Sequence, residues 1–116
     1  MENSDETDLD LGDDLVIKKQ IRRTSAGGTW VVGTLHGHKF DALVFPEHAE
    51  CADYEIDGNG EDGSKISKLW IQRMSDKKTT YNWDRGIDIP AADFTTESIV
   101  AYLCAGLADY VYAFAE

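Results

Sequence analysis

Four side chains with metal or nucleophile chemistry fall in one short stretch: His36, His38, His48 and Cys51. His48-x-x-Cys51 has the spacing of a zinc-ligand pair, since zinc takes imidazole nitrogen and thiolate sulfur tetrahedrally. No second cysteine pair accompanies it, so the set is incomplete. Three surface histidines and one buried thiol account for the same residues. Cys51 with His48 is also the one thiol–imidazole neighbour from which a nucleophile could be built, and no serine sits in a nucleophile-elbow context. The run "DGNGEDG" opens like a calcium loop, with oxygens at Asp57, Asn59 and Glu61. Its sixth position is Asp62, where the sharp turn needs glycine, and its twelfth is Lys68, where a bidentate Glu is required. It reads as a solvated loop. No glycine-rich loop opens a helix. The chemistry therefore points away from an enzyme and away from a cofactor or resident metal.

"YNWDRGIDIP", residues 81–90, is the other stretch dense in chemical groups. Asp84-Arg85-Gly86 can form a turn in which Gly86 takes a positive φ and Asp84 or Asp88 holds Arg85. Tyr81 and Trp83 are then expected to share a strand face with Trp70 across the ladder. The competing reading makes Arg85 and these aromatics a recognition patch.

These groups must be positioned by one domain, since 116 residues with 42% hydrophobic content suffice for a single core. The net charge is −11, and it is unevenly spread. Residues 1–17 carry seven carboxylates and no base, the middle of the chain holds all the lysines and arginines against nearly as many acids, and residues 86–116 are again acidic. Residues 1–13 have little apolar content and a block of like charge, which predicts a disordered acidic tail ahead of a domain at 14–116. No apolar run is long enough for a membrane span, and the absence of a signal-peptide core predicts a cytoplasmic protein with reduced cysteines.

From Leu15 the pattern becomes that of strands. "LVIKKQIRR", "TWVVGTLHG", "KFDALVF", "KISKLWIQRM" and "TTYNW" alternate and are parted by turn signals, with a turn at Gly37-His38 and another at "SDKK"; "ADYEI" reads as a further short strand. After Pro90 the period changes to 3.6, with Ile99, Leu103, Leu107, Tyr110 and Phe114 on one stripe widened by Val100, Cys104, Ala108 and Val111. Such a helix is expected to bury most of its surface, and Asp93, Thr95 or Thr96 can cap it. The fold class is α+β: an antiparallel five- or six-stranded meander with one C-terminal helix packed on one face.

Alternation assigns Ile66, Trp70 and Met74 to one face of their strand, opposite Leu69 and Ile71. It likewise sets Phe40, Ala42 and Val44 against Leu43 and Phe45. Both faces of the sheet are thus apolar, and a single helix covers one. The other must be closed by curling of the sheet, by a second copy of the chain, or by a partner.

"TWVVGTLHGHKFDALVF", "SKISKLWIQR" and "TTYNWDRGIDIP", in this order, resemble a family of small uncharacterised proteins carried by phages, plasmids and integrated elements. Its members run Trp-x-x-Gly, Phe-x-Ala-x-Val-Phe, Ile-Ser-Lys-Leu-Trp-Ile and Tyr-Asn-x-Asp-Arg-Gly before a terminal helix. The resemblance spans about residues 29–110, with Ile87 where Trp often follows Arg-Gly and a longer "DGNGEDG" loop. It implies a mobile-element context and no activity. At the level of fold alone the chain is similar to PC4-like single-strand DNA-binding coactivators.

Two functional expectations follow. In the first the chain is a non-enzymatic acidic interaction protein of mobile-element origin that inhibits a host defence or DNA-processing protein, with the acidic tail and Asp57, Glu61, Asp62, Asp84, Asp88 and Asp93 facing a basic partner. In the second it is a single-strand nucleic-acid binder regulated by its tail. Lys65, Lys68, Arg73, Lys77, Lys78 and Arg85 would then hold phosphates, and Trp70, Tyr81 and Trp83 would stack bases.

Overall fold

The computed structural model describes residues 15–24, 27–46, 56, 64–84 and 86–112. The acidic segment 1–13, all but Ile56 of the strand expected at 52–56, and His48, Cys51, Asp57, Glu61, Asp62, Arg85 and Phe114 lie outside them. Six antiparallel strands follow in chain order: β1 (Val16–Arg22), β2 (Thr29–Leu35), β3 (His38–Val44), β4 (Ile66–Arg73), β5 (Lys78–Asp84) and β6 (Ile87–Ile89), then helix α1 (Phe94–Tyr112). Their order in the sheet is also their order in sequence. The meander is open, with β1 and β6 at its edges, and does not curl into a closed barrel.

Turn chemistry sets the register. His36 and Gly37 both take positive φ (51° and 75°), the mirror-image turn that matches strand twist in a two-residue hairpin. The β2–β3 turn is therefore His36-Gly37 rather than Gly37-His38, and His38 returns into β3, where it is buried. Gly86 (φ 146°) closes the β5–β6 corner, with the Asp84 amide donating to the Gly86 carbonyl at 2.9 Å. The residues after that corner form β6, paired to β5 through Asn82↔Ile89 and Trp83↔Ile87.

One face of the sheet holds Val31, Leu35, Phe40, Ala42, Val44, Leu69, Ile71 and Tyr81, which pack against Ile99, Leu103, Cys104, Leu107, Ala108 and Val111 of α1. The helix begins where Asp93 caps it. Asp93 Oδ1 accepts the Thr96 amide at 2.8 Å, and its carbonyl accepts the Glu97 amide at 3.0 Å. At the far end the Tyr112 hydroxyl donates to the Val44 carbonyl at 3.1 Å and lies 2.9 Å from Thr29 Oγ1. Arg22 stacks on the Tyr112 ring. Burial follows one stripe, so Val111 takes the inward position and Tyr110 is exposed, as are Phe94 and Tyr102. The helix does not bury most of its surface. Cys104 is buried in this core and forms no disulfide.

Gly33 shows how tightly β1 is laid on. A Cβ there would stand 2.4 Å from the Val16 carbonyl oxygen and 3.1 Å from the Phe40 ring. Gly33→Ala is expected to cost about 1–3 kcal/mol through overpacking. Chemical denaturation measures the loss, and faster amide exchange confined to β1 identifies its source.

Candidate interaction surface

The face turned away from α1 is built from alternate residues of five strands. Cross-strand register aligns Val16, Thr34, Lys39 and Gln72 in one row, Lys19, Val32, Asp41, Trp70 and Asn82 in a second, and Ile21, Trp30, Leu43, Lys68 and Asp84 in a third. No described element lies across it. Its apolar members are Trp30, Val32, Leu43 and Trp70, with Val16 and Ile21 each half exposed toward the β1 edge. Leu43 is 2% exposed and pairs with Trp30 and Lys68 across the ladders.

Register changes the grouping read from alternation alone. Ile71 pairs with Tyr81, Leu69 with Trp83, and Trp70 with Asn82. Tyr81 and Trp83 therefore lie on the helix-covered face, and Trp70 lies on the outer one. Ile66 joins the helix-side core because the ladder is irregular between Leu43 and Val44. Met74 has left the strand and is exposed. Burial carries the Tyr81 hydroxyl up to about 12, with the neighbouring Cys104 thiol adding to the shift.

The nucleic-acid residues expected together are divided accordingly. Lys68 and Trp70 share the outer face. Lys65 faces α1 at 3.9 Å from Asp109, and Lys77 and Lys78 sit at the β4–β5 turn. Arg73 belongs to a structural network: its Nη2 and Nε donate to the two oxygens of Asp76 at 2.9 and 3.1 Å, and its Nη1 donates to Asp93 at 3.1 Å. Asp93 is thus a helix cap and an anchor of α1 to β4 rather than part of an exposed acidic patch. Hydrogen bonds from Thr96, then the nearby Arg73 and His38, hold its carboxyl below the ordinary range. Asp84 lies 3.7 Å from Lys68 and Asp88 accepts from Asn82 Nδ2 at 3.0 Å, so these two acids do flank the outer face.

Of the metal candidates, His38 is buried with its Nδ1 2.8 Å from the His36 carbonyl. Among the described residues no group of three or more His, Cys, Asp or Glu side chains is placed to hold a metal ion.

Asp41 was not singled out by any motif, yet it sits at the centre of the outer face, between Val32 and Trp70. Its Oδ1 is buried with no hydrogen-bond partner. Burial pushes its carboxyl above the ordinary range, against the pull of Lys39. The hairpin turn was the missing signal, because a His36-Gly37 turn places Asp41 opposite Val32. Trp70 is fixed in place, its Nε1–H donating to Thr79 Oγ1 at 3.2 Å.

A small α+β domain with one face closed by a helix and an aromatic-lined outer face is the class that these features define. The chain belongs to the family described as domain of unknown function (DUF7678), which matches residues 29–108, from the start of β2 into α1 and excluding β1. No curated protein and no solved structure matches it. No helix among the described residues is long and apolar enough to cross a membrane.

Two carboxyl groups that folding shifts in opposite directions can be separated by titration. Asp76 is held at about 2, first by the Arg73 hydrogen bond and then by the Lys78 amide. A carboxylate lowered on folding stabilises above its unfolded value, and that contribution disappears as pH falls through the folded one. Asp76→Asn should therefore remove part of the stability lost between about pH 4 and pH 2. Asp41 has the reverse sign, since its charged form is disfavoured by folding. Asp41→Asn should raise the denaturation midpoint at pH 7, with the gain vanishing below the unfolded carboxylate range. A lower midpoint at pH 7 would contradict this.

Proposed function

We propose that this chain is a non-enzymatic interaction protein whose docking surface is the outer face of the sheet. On its resemblance to proteins of phages, plasmids and integrated elements, we take it to act in the cytoplasm for such an element, by binding and inhibiting a host defence or DNA-processing protein. The observation that carries this reading is a face on which Trp30, Val32 and Trp70 surround Asp41, with further charged groups toward its edges and no described element covering it. Aromatic side chains at the centre of a patch with a polar rim are the composition of protein interfaces. The five strands that build the face, each about seven residues long, give a footprint of roughly 19 by 23 Å, about 440 Å², a little over half of one partner's share of a standard interface.

Charge favours a second reading. The chain as a whole is strongly acidic, but among the described residues ten lysines and arginines stand against seven carboxylates. Lys19, Lys39 and Lys68 share the outer face with two tryptophans, the elements of a single-strand nucleic-acid platform. Asp41 at the centre, with Asp84 and Asp88 toward β6, cancels that charge on the face itself, which is why a protein partner is the better occupant.

A photoreactive residue placed at Val32, and separately at Ala105 on the exposed side of α1, distinguishes the readings in extract of the natural host. Capture of a defined protein from Val32 but not from Ala105, abolished by Trp30→Ser, is the expected result. Equal labelling from both positions, or salt-sensitive binding of a labelled single-stranded oligonucleotide by the intact chain, would overturn it.

A further inference from the structure

Taking the outer face as a protein-docking surface, we propose that it is a receptor for a basic side chain: an arginine or lysine of the partner seats on Asp41 against the ring of Trp70, with Trp30 on the adjoining diagonal. The inference deepens the functional reading and names the chemistry of the partner, a cationic protein segment.

Three features of the face converge on it. The first is the position of Asp41. Its direct neighbours across the ladders are Val32 and Trp70, and Trp30 is the diagonal neighbour on β2, within reach of an aromatic side chain. A carboxylate here interrupts the apolar patch at its middle. For a surface that only had to be covered, an apolar or neutral residue would serve better, because a polar atom buried without a partner costs free energy.

The second is that its hydrogen-bonding capacity is unused. Oδ1 is buried and unpartnered, and among the described residues no ion pair reaches Asp41, whereas Asp76, Asp84, Asp93 and Asp109 each have a basic partner within 4.0 Å. Lys68, the nearest lysine along the third row, is committed to Asp84. Lys39, on the same strand, acts on Asp41 electrostatically without pairing.

The third is the ring. Trp70 is held by its hydrogen bond to Thr79, so its face is presented without further loss of side-chain freedom. Trp is the strongest of the aromatic partners for a cation, and a guanidinium can stack on it while pairing with a carboxylate beside it.

The same arrangement disfavours the other occupants. A phosphate backbone laid along this face would meet Asp41 at its centre. A second copy related by a twofold axis through the middle of the face would bring two Asp41 carboxylates together.

The probe is a short peptide with three arginines spaced by Gly and Ser, compared with its citrulline analogue, which keeps the shape and loses the charge. Binding to the full chain is followed at moderate salt by calorimetry and by tryptophan fluorescence. The arginine peptide should bind and the citrulline peptide should not. Asp41→Asn, an isosteric change expected to fold, should weaken binding tenfold or more. Trp70→Leu should weaken it several-fold, and Asp109→Asn, on α1, should leave it within twofold. Equal losses for Asp41→Asn and Asp109→Asn would reduce the effect to net charge and overturn the proposal. So would no binding of the arginine peptide, preference for an oligonucleotide, or a dimer dissociated by Trp30→Ser. If capture from Val32 persists in Asp41→Asn, the docking surface stands and the basic-residue receptor falls; if capture is absent from the intact chain, the functional reading itself falls.

Discussion

One helix cannot shield two sheet faces. A nineteen-residue α-helix is about 28 Å long and roughly 10 Å across, while six strands span roughly 24 Å. Even the face that α1 covers is completed by large side chains at its flanks: Tyr81 and Trp83 from β5, Ile17 from β1, and Ile56, whose amide donates to the Ile66 carbonyl beside β4. Nothing of α1 remains for the other side. The outer face is a consequence of this mismatch between a wide sheet and a single helix, and the functional reading depends on it.

The helix is tied at both ends, and the ties explain why the two faces behave independently. Asp93 joins the α1 N-terminus to Arg73 on β4, and through Arg73 to the β4–β5 turn at Asp76. Tyr112 joins its C-terminal end to β2 and β3 through Thr29 and the Val44 carbonyl. Among the described residues no Asp, Glu, Lys or Arg is buried in the core between these ties. The charged groups with unusual environments lie at its rim or, like Asp41, on the opposite side of the sheet. A change on the outer face therefore leaves the helix–sheet core largely intact. The family match begins at β2, so β1 (Val16–Arg22), with Lys18, Lys19 and Arg22, lies outside the matched segment.

Much of the fold was legible because alternation and turn residues are local. The strands at 16–22, 29–35, 38–44, 66–73 and 78–84 and the helix after Pro90 each carry their period in contiguous residues. What was not legible depends on register. Whether Trp70 faces Trp83 or Asn82 is decided by where the chain reverses and by the irregularity between Ile71 and Gln72, and alternation within one strand says nothing about either. The same holds for Ile66. Asp93 reads both as a helix cap and as an exposed interaction acid, because the two look alike until the helix start is known; the cap is what the structure shows. Asp41 was passed over because a single carboxylate in a strand is ordinary in sequence. Its environment comes from Val32 and Trp70, on two other strands.

Hydroxyl-radical footprinting of the full chain across a hundredfold range of concentration tests the central claim most directly. An uncovered outer face predicts strong modification of Trp30, Trp70 and Ile21 at every concentration, with Leu103, Leu107 and Tyr81 protected. Protection of Trp30 and Trp70 as complete as that of Leu103, at the lowest concentration and with no partner present, would contradict it.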